Sequence, residues 1–113
     1  VHFTTLGEQK LEVDQSYFYP NPAEGAQGQY LYNLTRSAKS AQVSIYSVSG
    51  RRVRVLTESG PLLPGLHAFL WNLQDEAGDQ VSNGVYLLVL RVNGDDNSVV
   101  TPEFSPERVV VTR

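Results

Sequence analysis

Along most of this chain, hydrophobic and polar residues alternate with a period of two, as in strands that bury one face. Tyr30, Tyr32 and Leu34 form one such set, and Val43, Ile45 and Val48, set among Gln42, Ser44 and Tyr46, form another. Val53 and Val55 alternate with Arg52 and Arg54, which predicts a strand with one buried face and one wet face. The run from Val85 to Val92 is apolar on both faces, the pattern of a strand in the middle of a packed sheet. Leu66–Trp71 and the short β-branched segment Arg108–Thr112 complete the set. No stretch keeps a helical stripe over three turns, so no long helix is expected.

Turn residues punctuate these runs. The chain has 9 Gly and 6 Pro, most of them between apolar segments. Ser47-Val48-Ser49-Gly50 reads as a hairpin turn in which Gly50 supplies a positive φ. Pro61–Gly65 separates two strands, Asp75–Asp79 makes a polar turn after Trp71, and Asn93–Asp96 follows Val92. About seven short strands at this spacing predict an all-β sandwich. Residues 1–16 are less regular and read as a linker or as a first strand around Lys10–Val13.

Composition narrows the function. At 113 residues there is room for one domain, and the 41% hydrophobic content suits a globular core. A net charge of −3 argues against nucleic acid as a partner. There is no cysteine, which removes thiol nucleophiles, thiolate metal sites and disulfides. No apolar run reaches the length of a membrane span. The chain starts at Val1 and contains no Met, so it is expected to be a piece of a longer polypeptide.

A series of short motifs adds a resemblance. Phe18-Tyr19-Pro20-Asn21-Pro22 opens the compact part, and Ala41–Val53 follows with Gly50 in its turn. Gly65-Leu66-His67 leads to Trp71-Asn72, and Asp75–Gly78 leads to Ser82-Asn83-Gly84-Val85-Tyr86. Arg108-Val109-Val110-Val111 then closes the series. In this order the motifs resemble the immunoglobulin-like C-terminal domains of bacterial surface and secreted proteins. They are similar to the type A sorting domain of the type IX secretion system and to the immunoglobulin-like domain of the flagellar hook-capping protein. The resemblance covers residues 17–113 and implies an immunoglobulin-like antiparallel β-sandwich. It departs from the family pattern at Asn72, where an Asp is usual, and in the long polar stretch Asn93–Pro106.

The same residues offer few reactive groups. A serine triad needs a base, and only His2 and His67 are present; His67, in an alternating strand beside Phe69, reads as structural. Two distant histidines do not make a zinc site, and no glycine-rich phosphate loop precedes a helix. The carboxylate turns Asp75–Asp79 and Asp95–Asn97 read as solvated turns, with calcium the alternative, although neither has EF-hand spacing. Arg51, Arg52 and Arg54 read as the wet face of a strand, and Asn33-Leu34-Thr35 fits a glycosylation pattern inside a strand. Tyr17, Tyr19, Tyr30, Tyr32, Tyr46 and Tyr86 read as strand packing, with a carbohydrate-stacking platform as the alternative.

These readings predict a non-catalytic domain with no cofactor and no metal. The resemblance implies that it sorts an exported bacterial parent polypeptide across the outer membrane, to the medium or the cell surface, by way of the periplasm. Its partners would be that upstream parent and the secretion machinery. The recognition residues it implies are Pro20, Asn21, Pro22, Gly50, Gly84, Tyr86, Arg108, Val109, Val110, Val111 and Arg113. The rival reading is a structural module, like the hook-capping domain or a spacer in a surface hydrolase. The last strand is expected near a sheet edge, with its backbone groups open to another chain.

Overall fold

The alternating segments form eight strands. In a computed structural model that describes residues 11–21, 23, 25, 27–102 and 106–112, they pair into two antiparallel sheets. The strands are β1 (Val13–Tyr19), β2 (Gly28–Leu34), β3 (Ala38–Ser47), β4 (Arg52–Leu62), β5 (Gly65–Trp71), β6 (Gly84–Gly94), β7 (Val99–Val100) and β8 (Glu107–Val111). One sheet has the order β1-β2-β5. In the other, β4, β3 and β6 lie side by side, and β7 and β8 follow one another along the far flank of β6. Among the described residues there is no helix long and apolar enough to cross a membrane.

The two inner faces make the core of an immunoglobulin-like sandwich. Tyr30, Tyr32, Leu34, Phe69 and Trp71 come from the smaller sheet; Val43, Ile45, Leu88, Leu90 and Val92 come from the larger. Each such buried side chain contributes about 1.5–3 kcal/mol. Trp71 ties the sheets together. Its ring meets Phe18 edge-on at 6.2 Å and Tyr86 edge-on at 5.8 Å, and its Nε1 donates to the Gln74 carbonyl at 3.0 Å. β6 is central, as its doubly apolar pattern predicts, with β3 on one side and β7 and β8 on the other.

The structure also departs from expectation. β1 begins at Val13, whose side chain is in the core; residues 1–16 read as a linker or a first strand around Lys10–Val13, of which Lys10 lies outside the described residues. β4 runs through Pro61 to Leu62 instead of ending near Leu56. It can do so because it is an edge strand, where a missing N–H breaks no ladder. Residues 93–100 of the polar stretch are tied to the sheet. Gly94 N–H donates to the Ser98 carbonyl at 2.8 Å, Lys39 Nζ reaches Asn97 Oδ1 at 2.7 Å, and β7 then pairs with β6.

The six tyrosines do not form a row. Tyr30, Tyr32 and Tyr86 are buried, whereas Tyr17 and Tyr19 are exposed on β1, so packing accounts for half of the set. His67 is structural: its Nε2 lies 2.6 Å from the Leu63 carbonyl, and its ring stacks on Tyr32 at 5.4 Å.

Candidate recognition site at the terminal strand

β8 is short, β-branched and amphipathic. Alternation sends Val109 and Val111 into the core at 0% exposure and leaves Arg108 and Thr112 in solvent, with Val110 half-buried between them. Its inner edge pairs with β6, so that Gly84 faces Val111, Val85 faces Val110 and Tyr86 faces Val109. Gly84 enters the pairing at φ +153°, a backbone conformation that glycine adopts without a side-chain penalty. Tyr86 is fixed beside it by a hydroxyl that donates to the Ser82 carbonyl at 2.6 Å.

The outer edge of β8 is filled by the segment that follows β1. Pro20 fixes φ where the chain leaves β1, and Asn21 comes next. Asn21 Nδ2 donates to the Arg108 carbonyl at 2.9 Å, and its Oδ1 accepts the Val110 N–H at 3.1 Å. One side-chain amide thus offers β8 the donor and acceptor of a neighbouring strand. Ala23 continues the pattern with its backbone, donating to the Val110 carbonyl at 2.7 Å and accepting from Thr112 N–H at 3.0 Å. Nearby, the Glu107 carboxylate accepts the Phe18 N–H at 3.1 Å.

The predicted recognition residues therefore separate into groups. Asn21, Gly84, Tyr86 and Arg108–Val111 meet in one constellation, with Pro20 at its border. Gly50 sits at φ +92° in the β3–β4 turn, and its N–H donates to the Ser47 carbonyl at 2.9 Å. Its bonds stay within that turn, although Ser47 pairs with Tyr86 at the same end of the sheet. Pro22 and Arg113 lie outside the described residues. The expectation of an open terminal edge is corrected here: Arg108, Val110 and Thr112 already have partners along it. Ala23 and Glu107 were missed. Ala23 acts through its backbone, which leaves no side-chain signal; Glu107, between Pro106 and Arg108, reads in sequence as an ordinary charge at a strand start.

The other candidates are quieter. Asp75 Oδ1 accepts the N–H groups of Ala77 and Asp79, each at 3.0 Å, which closes the turn on itself. Asp96 Oδ1 accepts from Ser98 Oγ at 2.7 Å and from Ser98 N–H at 3.1 Å. These bonds hold the Asp96 carboxyl below the usual carboxylate range. Among the described residues no group of three or more His, Cys, Asp or Glu side chains is placed to hold a metal ion. Arg54 donates to Asn72 Oδ1 and to the Gln74 carbonyl, both at 3.2 Å, so it braces the turn after Trp71. Asn33 Nδ2 donates to Asp14 Oδ1 at 2.7 Å. A groove of about 630 Å³ runs between β1 and β7, lined by residues 12–17 and 100–102. Among the described residues its lining carries the carboxylates of Glu12 and Asp14 and the hydroxyls of Ser16, Tyr17 and Thr101.

Two antiparallel sheets around a Trp-centred core, with a strand margin as candidate site, define an immunoglobulin-like β-sandwich module. The family model of the FlgD Ig-like domain matches residues 20–96, and the chain belongs to that family. The match stops short of β7 and β8. No curated protein matches the sequence. Among solved structures, dimeric latent PorU from Porphyromonas gingivalis superposes on 94% of this chain with a TM-score of 0.75 at 21% identity. FlgD from Xanthomonas campestris superposes on 88% with a TM-score of 0.59 at 15% identity, and this chain spans 66% of it. PorZ of Porphyromonas gingivalis, a bacterial surface component of its type IX secretion system, superposes on 87% with a TM-score of 0.53 at 20% identity. This chain spans 10% of the PorU chain and 11% of the PorZ chain. At these identities the likeness is one of fold.

Proposed function

We propose that this domain is a non-catalytic sorting module of an exported bacterial protein, and that the type IX secretion machinery reads it. The surface read would be the seam between residues 20–23 and β8, presented once the domain has folded. The observation that carries this reading is the Asn21 clamp, which joins two sequence-distant recognition motifs into one rigid patch. The structural likeness to PorZ supports it. The parent would pass through the periplasm and end in the medium or on the outer surface.

The test fuses the 113-residue chain behind a periplasmic reporter in a bacterium with type IX machinery. Arg108→Glu with Thr112→Glu changes the exposed face of β8 and leaves the core valines in place. The unaltered fusion should reach the medium, and the double variant should stay in the periplasm with an unchanged thermal melt. Deleting residues 108–113 is the poorer tool, because it also removes Val109 and Val111 from the core. If the unaltered fusion stays inside, or the folded double variant leaves at full yield, the sorting reading fails. Membership of the FlgD Ig-like family favours a structural spacer as the second reading.

A further inference from the structure

β6 is apolar on both sides, and a strand of that pattern belongs under cover on both. Its inner side has that cover: Tyr86, Leu88, Leu90 and Val92 are in the core. Its outer side, Val85, Leu87 and Val89, stays half-buried, and the described residues form no third layer over it. Register extends this outer face across the larger sheet, because residues directly opposite one another share a face. Tyr46 of β3 lies beside Leu87, Val110 of β8 lies beside Val85, and Val55 of β4 continues the row of Val89 through Ser44.

The charges on this face have one sign. Arg52 lies opposite Tyr46 and Arg108 opposite Leu87, so one row across four strands runs Arg52, Tyr46, Leu87, Arg108. Arg91 follows farther along β6, opposite Gln42. All three arginines are exposed, and among the described residues their side chains have no partner. No Asp or Glu holds an outer position on β3, β4, β6 or β8. Glu58 and Glu107 belong to the inner side, where they accept from the Tyr32 hydroxyl and the Phe18 N–H. Glu76 is engaged at the edge of β4 by the Val55 N–H at 2.9 Å. In a chain of net charge −3, this face is a local concentration of positive charge.

We propose that the outer face of the larger sheet docks an acidic protein surface of the export machinery; this rests on the sorting reading and names the chemistry of its partner. The arginines stand too far apart to close on one small anion. Three strand spacings separate Arg52 from Arg108, about 14 Å, and four residues of strand separate Leu87 from Arg91, about 13 Å. An extended acidic surface spans them. Tyr46 and Leu87 then form the apolar centre of the contact and the arginines its charged rim. Tyrosine and arginine are also the side chains that most often dominate binding at such contacts. The apolar groups are half-buried in the plane of the sheet and offer a bilayer nothing to insert, which favours a protein over an anionic membrane.

The reporter fusion tests the docking face at positions away from the seam. Arg52→Gln with Arg91→Gln should cut the exported fraction by about fivefold or more, with an unchanged thermal melt. Arg52→Lys with Arg91→Lys keeps the charge and should keep most of the export. Gln15→Glu with Gln29→Glu changes the net charge equally, on the outer face of the smaller sheet, and should leave export unchanged. If the unaltered fusion is retained, the sorting reading fails and the docking face falls with it. If the unaltered fusion is exported and the arginine-to-glutamine pair leaves at full yield, the docking face alone is overturned. Equal losses from that pair and from the Gln15, Gln29 pair would trace to net charge and overturn it too. So would a loss in the lysine pair as deep as in the glutamine pair. The purified chain should not sediment with vesicles of phosphatidylglycerol and phosphatidylcholine; sedimentation that depends on Arg52 and Arg91 would make the occupant a membrane, which also overturns the proposal.

Discussion

β8 has five residues and a covered outer edge; β5 has seven, and among the described residues no backbone hydrogen bond reaches its outer edge. Their anchorage differs as well. β8 relies on two valines and on bonds to residues 87 and 89 positions away in sequence. β5 relies on two aromatic rings in the core, and it enters its sheet directly after the preceding strand. A margin held by large apolar groups stays in place without capping. A margin held by little apolar surface needs a clamp, and the clamp closes it to other chains as a by-product.

The contrast is tested most severely at Trp71. Trp71→Ala should destabilise the domain by about 3–5 kcal/mol in urea melts, because it empties the junction between the sheets. A loss below about 1 kcal/mol would show that β5 is not anchored this way. Next comes the strand that both halves of the core share. Leu88→Ala on β6, at 1% exposure, should cost about 2–5 kcal/mol by the same measurement. A loss under about half a kilocalorie would contradict its central position.

Asn21→Ala should have a smaller effect, about 1–2 kcal/mol for two partly hydrated hydrogen bonds. Its signature is local: the Val110 amide should exchange faster, while amides paired between β2 and β5 keep their protection. Uniform change across both regions would remove the distinction between them. The mildest effect concerns pH. Burial, followed by the nearby Glu58 carboxylate, raises the pKa of the Tyr32 hydroxyl, and burial chiefly raises that of Tyr30. The folded state therefore favours the neutral phenols, so their contribution is complete below about pH 10 and lost as pH rises beyond it. The melting temperature should fall above that pH, and less steeply in Tyr32→Phe. Because Tyr32 stacks on His67 and Phe69, amide exchange in β5 should respond before that in β8.

The alternation of Val43, Ile45, Val53 and Val85–Val92 was enough to read the fold class and the central place of β6. A core place for Trp71, with its N–H on some nearby carbonyl, was readable because a large amphipathic ring has few places to go; that the carbonyl is Gln74's was not. The pinning of residues 93–98 and the two-residue β7 were not, since they depend on Lys39, Ser37 and β6 from elsewhere in the chain. The motifs around Asn21 and Arg108–Val111 stand out in the sequence, but their meeting does not. Spacing along the chain carries no information about which side chain will imitate a peptide group 87 residues away. The margin of β5, unpaired among the described residues, left one trace in sequence, a strand without Asp, Glu, Lys or Arg and with leucines at Leu66 and Leu70, and it reads like any packed strand until the sheet order is known.

The Asn21–Ala23 clamp has a mechanical consequence. Ala23 bridges to Val111 in parallel; β1 begins at Val13, beside Leu34, and β8 ends at Val111, beside Gly84. Those two points lie at opposite poles of the strands. Tension applied between them would load the four clamp bonds in shear, all together, instead of peeling them one at a time. In single-molecule pulling, Asn21→Ala should therefore lower the rupture force by a larger fraction than it lowers equilibrium stability; proportional losses would mean that the load runs through β6 instead. A pair of bonds worth little at rest would then be the fastening that governs how the domain bears force.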